Sequence, residues 1–384
     1  LSGIARAIVR GNPLRRLVEL LVLVSFIIVG AVVVLLGMPS SETADGELKL
    51  TPARFWRELA GNAVQCELCF RNCTIPEGQR GYCRVRENRG GKLYTLVYGR
   101  AAGFDLATIE KEPMYHVLPG HQNLGVFTAG CNFRCSFCHN WHVATKSPEE
   151  VRSLTLPPEE LVGMALDKGC RSISFTINEP TVFYEYMYDT AAIAREKGLI
   201  TLFHTNGAIN REPLRELLRH MDAVCVDLKG FTGQFFRKTS FSQLEPVLET
   251  LKTVKESGVW FEIVNLVIPT LNDDPTQTRE MCRWIKENLG EHVPVHFNRF
   301  FPAYRLTRVP PTPIETLERA RQIAIEEGLR YVTIGNVPGH EFNSTYCPEC
   351  NNTLVKRVHF SVLENNVEGG TCRYCGHRIP GVWN

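Results

Sequence analysis

The sequence has almost no net charge: 43 Lys and Arg stand against 41 Asp and Glu in 384 residues, a formal balance of +2. That leaves no global electrostatic attraction to nucleic acid, which is not an expected partner. Its 14 cysteines are not spread as in a secreted disulfide framework. Eleven of them fall into three tight groups, which points to metal sites and a reducing compartment. Charge is missing altogether from residues 20–38. As a helix that run would span roughly 28 Å, about one hydrocarbon core. Soluble helices are rarely apolar on every face, so a single-pass membrane helix or uncleaved signal anchor is expected there. No A-x-A cleavage site follows it.

What is there centres on Cys131-Asn-Phe-Arg-Cys135-Ser-Phe-Cys138, just past the apolar run 124–127. Thiolates are the preferred ligands of iron–sulfur clusters. Three on one short loop can bind three irons of a cubane and leave the fourth open to chemistry. A zinc knuckle would favour paired C-x2-C with two further ligands; three buried cysteines are the plainest alternative.

From residue 124 onward, β-rich runs alternate with helical patterns. Strands are expected at 124–128, 172–176, 200–204, 223–227, 260–268, 295–298 and 331–334. Helices are expected at 158–168, 186–197, 213–220, 244–257, 276–289 and 313–327. Pro, Ser, Thr or Asp opens several helices, and Gly169, Gly198, Gly258 and Gly328 close others. Such alternation predicts an α/β fold, with parallel strands inside and helices outside. In parallel barrels the reacting site lies at the carboxyl ends of the strands. The cysteine loop follows the first of these strands.

This spacing after a first strand resembles the signature of the radical S-adenosylmethionine (SAM) superfamily. Cys138-His139-Asn140 is similar to the activating enzymes of glycyl-radical proteins. Residues 64–384 resemble a narrower group, the radical SAM protein of the AmmeMemoRadiSam system. The stretches that carry this are Cys66-Glu-Leu-Cys69 with Cys73 and Cys83, Tyr115-His-Val-Leu-Pro-Gly120, Cys138-His-Asn-Trp141, Arg299-Phe-Phe-Pro302, Gly335-Asn-Val-Pro-Gly339 and Ile379-Pro-Gly-Val-Trp383. The resemblance implies a partial (β/α)6 barrel with a 4Fe–4S cluster on Cys131, Cys135 and Cys138. It implies reductive cleavage of SAM to methionine and a 5′-deoxyadenosyl radical, which takes hydrogen from an unidentified substrate.

The same resemblance implies SAM contacts at the strand ends. Asn178, Glu179 and Pro180 stand where the superfamily has a Gly-Gly-Glu-Pro-like turn that meets the SAM amino group; Asn178 replaces a glycine. Thr205 and Asn206 would meet the ribose or carboxylate. Asp227 and Lys229 would line the pocket, with Lys229 on the carboxylate, and Phe137 would pack near the adenine. Each has a plainer reading: a turn at Asn178, a satisfied core histidine at His204, a local ion pair at Asp227–Lys229, packing under the loop at Phe137. His139, Trp141 and His142 are candidates to line the cavity. Cys170, Cys225 and Cys282 read as small buried hydrophobes.

Two further cysteine groups flank the barrel. Cys66, Cys69, Cys73 and Cys83 could close a zinc site or a second iron–sulfur cluster. Cys347-Pro-Glu-Cys350 and Cys372-Arg-Tyr-Cys375 form a zinc-ribbon pattern, with iron in a rubredoxin-like site as the alternative. A strand is expected at 92–100, a connecting segment from there to Gly120, and a strand at 355–362. The expected organisation is an amino-terminal segment with the apolar span (1–39), a linker and cysteine-rich module (40–120), the barrel (121–340) and the ribbon-like module (341–384). Arginines before the span and acidic residues after it place the catalytic part outside the cytoplasm by the positive-inside rule. An oxygen-sensitive centre that needs electrons argues for the cytoplasmic side, which is favoured for a membrane-tethered enzyme.

The expected partners are a flavodoxin- or ferredoxin-like electron donor, a protein substrate, and AMMECR-type or Memo-type proteins. A glycyl-radical activase of the pyruvate formate-lyase type is the specific alternative, although no ferredoxin-like double cluster follows the motif. A membrane-tethered, non-enzymatic zinc or iron–sulfur protein is the third reading.

Overall fold

Seven short runs, rich in residues that favour an extended backbone, pair as parallel neighbours in the computed structural model, which describes residues 50–383. An antiparallel edge strand, β1 (Gly103–Thr108), precedes them. The parallel strands are β2 (Gln122–Phe127), β3 (Ser172–Phe175), β4 (Ile200–Thr205), β5 (Ala223–Asp227), β6 (Trp260–Val267), β7 (Val295–Arg299) and β8 (Val332–Gly335). They lie side by side in chain order, as in a partial barrel. Helices α1 (Pro158–Asp167), α2 (Tyr184–Glu196), α3 (Arg211–Leu217), α4 (Glu245–Ser257), α5 (Pro275–Leu289) and α6 (Ile314–Glu326) each connect one parallel strand to the next. Six βα units and a closing strand thus match the expected (β/α)6 barrel.

Local chemistry sets the helix ends. Asp274 accepts the N–H groups of Thr276 at 2.7 Å and Gln277 at 3.3 Å, with Pro275 at the first helical position of α5. Gly258 ends α4 in the left-handed region, at φ 78°.

The period of two along each strand divides the sheet into two faces. Leu124, Val126, Ile173, Phe175, Phe203, Val224 and Ile263 join the main core that carries the helices. Leu202, Ala223, Cys225 and Val264 form a second cluster in the barrel interior with Ile109, Met114 and Val117. Polar side chains share that inner parity. Ser174 accepts from Asn123 at 2.8 Å, and His296 contacts Glu262 at 2.8 Å. Glu262 also accepts the N–H groups of Tyr115 at 2.9 Å and His116 at 2.8 Å, so it holds a plug at the amino ends of the strands. Burial would raise the Glu262 pKa, but His296 and the other donors hold it at about 2.

The carboxyl-terminal module joins the plug. Arg357 donates to the carbonyl of Tyr115 at 2.7 Å and lies 3.4 Å from Glu110, both side chains of that ion pair fully buried. The tail returns to the same place: Val382 N–H donates to His116 O, and Leu118 N–H donates to Val382 O, each at 2.8 Å. Tyr115–Gly120 and Ile379–Trp383, two of the stretches behind the family resemblance, therefore touch each other.

Three expectations are corrected. The run 92–100 is not one strand, because Lys92–Thr95 and Arg100–Ala101 pair with different partners. The segment leading to Gly120 contains β1, which pairs along the whole of β2. The run 355–362 folds back as a hairpin of Thr353–Val358 and Ser361–Asn365, turning at His359 with φ 55°. The apolar run at 20–38 lies outside the described residues. Among the described residues no helix is long and apolar enough to cross a membrane.

Candidate active site: a three-cysteine loop at the strand ends

The loop is held on both flanks by backbone bonds. Asn178, after β3, accepts the N–H of Thr128 at 3.0 Å and donates to the carbonyls of Gly130 at 2.8 Å and Ala129 at 3.2 Å. Gly130 has φ +89°, and a Cβ there would lie 2.7 Å from the carbonyl oxygen of Cys83. A side chain would force the two cysteine segments apart. On the far flank, Ser136 N–H donates to Thr239 O at 2.9 Å and Arg134 N–H to Ser240 O at 3.2 Å. The Arg134 guanidinium folds back onto the carbonyls of Cys131 at 2.6 Å and Phe133 at 2.7 Å.

Cys131, Cys135 and Cys138 are free thiols on this loop. Burial pushes the Cys131 and Cys135 thiols up, Cys131 well above its ordinary value, and Cys138 up to about 12. A soft metal bound here must displace their protons. The surroundings can support thiolates: Phe133 N–H lies 3.3 Å from the Cys131 sulfur, and the Asn206 amide nitrogen lies 3.8 Å from it. Three soft donors, Cys135 buried and Cys131 and Cys138 half-buried, with N–H groups near the Cys131 sulfur, fit an iron–sulfur cluster.

The neighbouring strand ends are stapled by Glu179. Its Oε1 accepts from Thr181 N at 3.0 Å, Thr181 Oγ1 at 2.6 Å and Thr205 Oγ1 at 2.7 Å. Its Oε2 accepts from Asn206 N at 2.7 Å. Burial still pushes the carboxyl pKa up, against these donors. Asn206 passes the order on, donating to Asn132 Oδ1 at 2.7 Å beside Cys131.

A chain of charges runs across the inner face. Lys229 donates to Asp227 Oδ2 at 2.6 Å, Asp227 Oδ1 meets His204 Nε2 at 3.0 Å, and His204 Nδ1 lies 3.8 Å from Glu112. Burial opposes charge on Lys229, Asp227 and His204. Lys229 and His204 nevertheless hold the Asp227 carboxyl well below its usual range, and Asp227 holds Lys229 protonated. Burial would lower the His204 pKa, but Cys225 and Asp227 hold it well above its ordinary value. The Lys229 cation also acts on Cys135 and Cys138. Phe137 is buried, 6.1 Å from Phe235 between ring centroids and 6.0 Å from the Lys229 nitrogen.

The structure therefore brings Phe137, Asn178, Glu179, Thr205, Asn206, Asp227 and Lys229 around the cysteine loop, and Pro180 is buried next to Glu179 at the start of a short turn. The side chains of Asn178 and Glu179 are engaged in bracing it. Trp141 is exposed and stacks on Tyr304 at 5.4 Å, and His139 near it in the chain is exposed too. Glu112, Asn132 and the carbonyls of Thr239 and Ser240 were not singled out by sequence. A carbonyl carries no residue-type signal, and Glu112 lies outside any motif.

Cys66, Cys69, Cys73 and Cys83 line one cavity, together with Arg86 and Asn132. The four carboxyl-terminal sulfurs lie within 4.8 Å of one another. Cys347–Cys375 and Cys350–Cys372 approach to 3.6 and 3.7 Å. With metal–sulfur bonds of about 2.3 Å, a tetrahedral site has sulfur–sulfur edges of about 3.8 Å. The ribbon thiols thus have the geometry for one tetrahedral ion, of unspecified identity.

The radical SAM superfamily matches residues 126–282. An uncharacterized protein of Methanocaldococcus jannaschii is 46% identical over 332 residues, covering 86% of this chain and 99% of that one. The pyruvate formate-lyase-activating enzyme of Clostridium pasteurianum is 28% identical over 170 residues, covering 42% of this chain and 68% of that enzyme. A crystal structure of a radical SAM methyltransferase from Sphaerobacter thermophilus aligns with a TM-score of 0.46 at 17% identity, over 74% of this chain and 76% of that one.

Proposed function

The chain belongs to the radical SAM superfamily and is related to glycyl-radical activases, and from that premise we propose that it generates a carbon radical from SAM at a 4Fe–4S cluster on Cys131, Cys135 and Cys138. The observation that carries this reading is the three-thiol loop, held at the carboxyl end of β2 beside the Glu179 staple and the Asp227–Lys229 pair. When bound, such a cluster supplies the electron that splits SAM into methionine and a 5′-deoxyadenosyl radical, which takes hydrogen from the substrate.

The residues have separable tasks in this reading. Asn178 and Glu179 set the loop and the β4 end before anything binds. Thr205 and Asn206, fixed by Glu179, present polar groups toward SAM. Lys229 offers a cation to the SAM carboxylate and offsets the charge of two thiolates. Phe137 and Pro180 supply apolar walls, which exclude water from the radical.

A protein substrate is the favoured target, because a relative is named as an activating enzyme. An electron donor of the flavodoxin or ferredoxin class, and AMMECR-type or Memo-type partners, complete the reading. A membrane tether through residues 20–38 remains part of it.

The test is anaerobic reconstitution with SAM and dithionite, followed by assay of 5′-deoxyadenosine. Cys135→Ala should abolish the product. Unchanged turnover in that variant would overturn the assignment.

A further inference from the structure

We propose that Cys66, Cys69, Cys73 and Cys83 hold a second iron–sulfur cluster, with Arg86 donating to its sulfurs. This site is separate from the Cys131 loop and does not depend on the reading given to that loop.

The spacing of the sulfurs argues against a single ion. The four thiols line one cavity. One tetrahedral ion draws its sulfurs to about 3.8 Å of one another. Among the described residues, the ribbon thiols are the cysteine group whose sulfurs all lie within 4.8 Å. The four cavity thiols form no such group among the described residues. A multi-iron cluster requires wider spacing, because iron and sulfide stand between the thiolates.

Arg86 is the second, independent observation. It lines the same cavity and is 1% exposed. Its Nη2 reaches Arg54 O at 2.5 Å and Glu185 at 3.1 Å, which keeps it charged. Its Nε and Nη1 have no acceptor among the described residues. A buried polar group left without its partner is costly. Sulfide or thiolate sulfur in the cavity supplies both missing acceptors. As iron and sulfide assemble, the four thiols release their protons to solvent. The resulting cluster carries a net charge of about −2, which a buried guanidinium stabilises.

The cavity shares a wall with the Cys131 loop. Asn132 lines it, and Arg71 Nε donates to Asn132 O at 2.7 Å. Gly130 lies against Cys83 on the same side.

The test uses the full chain carrying Cys131→Ala, Cys135→Ala and Cys138→Ala, reconstituted without oxygen with iron and sulfide. Iron, acid-labile sulfide and zinc are then counted. About four irons and four sulfides per chain should remain, and should be lost when Cys69→Ala is added. Zinc without sulfide overturns the proposal. Iron without sulfide, as a rubredoxin-like ribbon would give, overturns it too. Should the triple variant not fold, Cys69→Ala in the otherwise unaltered chain decides: loss of about four sulfides supports the site, and no loss overturns it. Arg86→Gln in the triple variant should move the remaining reduction potential to more negative values, and Arg86→Lys should restore part of it. An unchanged potential removes Arg86 from the site.

Discussion

The two four-cysteine modules sit at opposite ends of the barrel. The carboxyl-terminal one is at the amino ends of the strands, where Tyr331 packs on Cys347 and Arg357 reaches the Tyr115 plug. Its sulfurs close on one another. The amino-terminal one is at the carboxyl ends, against Gly130 and Asn132 of the three-cysteine loop. Its sulfurs surround a cavity. In parallel barrels the amino face serves stability and the carboxyl face serves chemistry. Equal numbers of thiols thus do not make equivalent sites; place and spacing separate a staple from a neighbour of the reaction centre.

The largest effect should come from breaking the staple. Small zinc domains gain about 10–16 kcal/mol from their ion at neutral pH, and a missing ligand forfeits much of that. Cys372→Ser should therefore sharply reduce soluble yield and leave the ribbon without metal. The surviving protein should still form 5′-deoxyadenosine. Normal melting with selective loss of that product would erase the distinction between the modules.

The join between ribbon and plug comes next. Arg357 and Glu110 are both fully buried, and Glu110 also accepts the N–H of Gly120 at 3.0 Å. Removing one partner leaves the other as an uncompensated buried charge, at about 3–5 kcal/mol. Arg357→Met should lower thermal stability by that order. Adding Glu110→Gln should recover part of it, because the stranded charge is gone. No recovery in the double variant would mean that Arg357 acts by packing on Tyr115, whose ring lies 4.3 Å from its guanidinium carbon.

The barrel was readable because its strands are buried on both faces and leave apolar runs between helical periods. Ser172–Phe175 is buried at every position. The strand β1 gave little such signal: five of its six residues are only half-buried and Leu106 is exposed. The three-thiol loop was legible from spacing alone. The bonds of Asn178 and Glu179 were not, because their partners at Thr128–Gly130 and Thr205–Asn206 lie far away in sequence. Arg86 was hidden for another reason. A charged residue in a short strand reads as exposed, and only the packing of Glu185 and the cysteine segment around it shows otherwise.

The smallest effect concerns how the amino-terminal module is fastened beside the loop. Arg80, between Cys73 and Cys83, forks onto Glu149 at 2.8 and 2.7 Å. Its hydrogen bonds hold the Glu149 carboxyl down to about 2, from an ordinary 4.5. A depressed folded pKa stabilises above the unfolded value, and the benefit is lost as pH falls through the folded one. The pair is partly exposed, at 28% and 46%, so solvent screening limits it to about 0.5–1 kcal/mol. Glu149→Gln should cost that much at pH 7, and the difference from the unaltered chain should shrink toward zero as pH approaches 2. Because the bond lies on the cavity-bearing segment, a chelator should strip metal faster from the Cys66–Cys83 site, with the ribbon metal unaffected. A pH-independent difference, or faster loss from the ribbon, would show that this ion pair does not fasten the module.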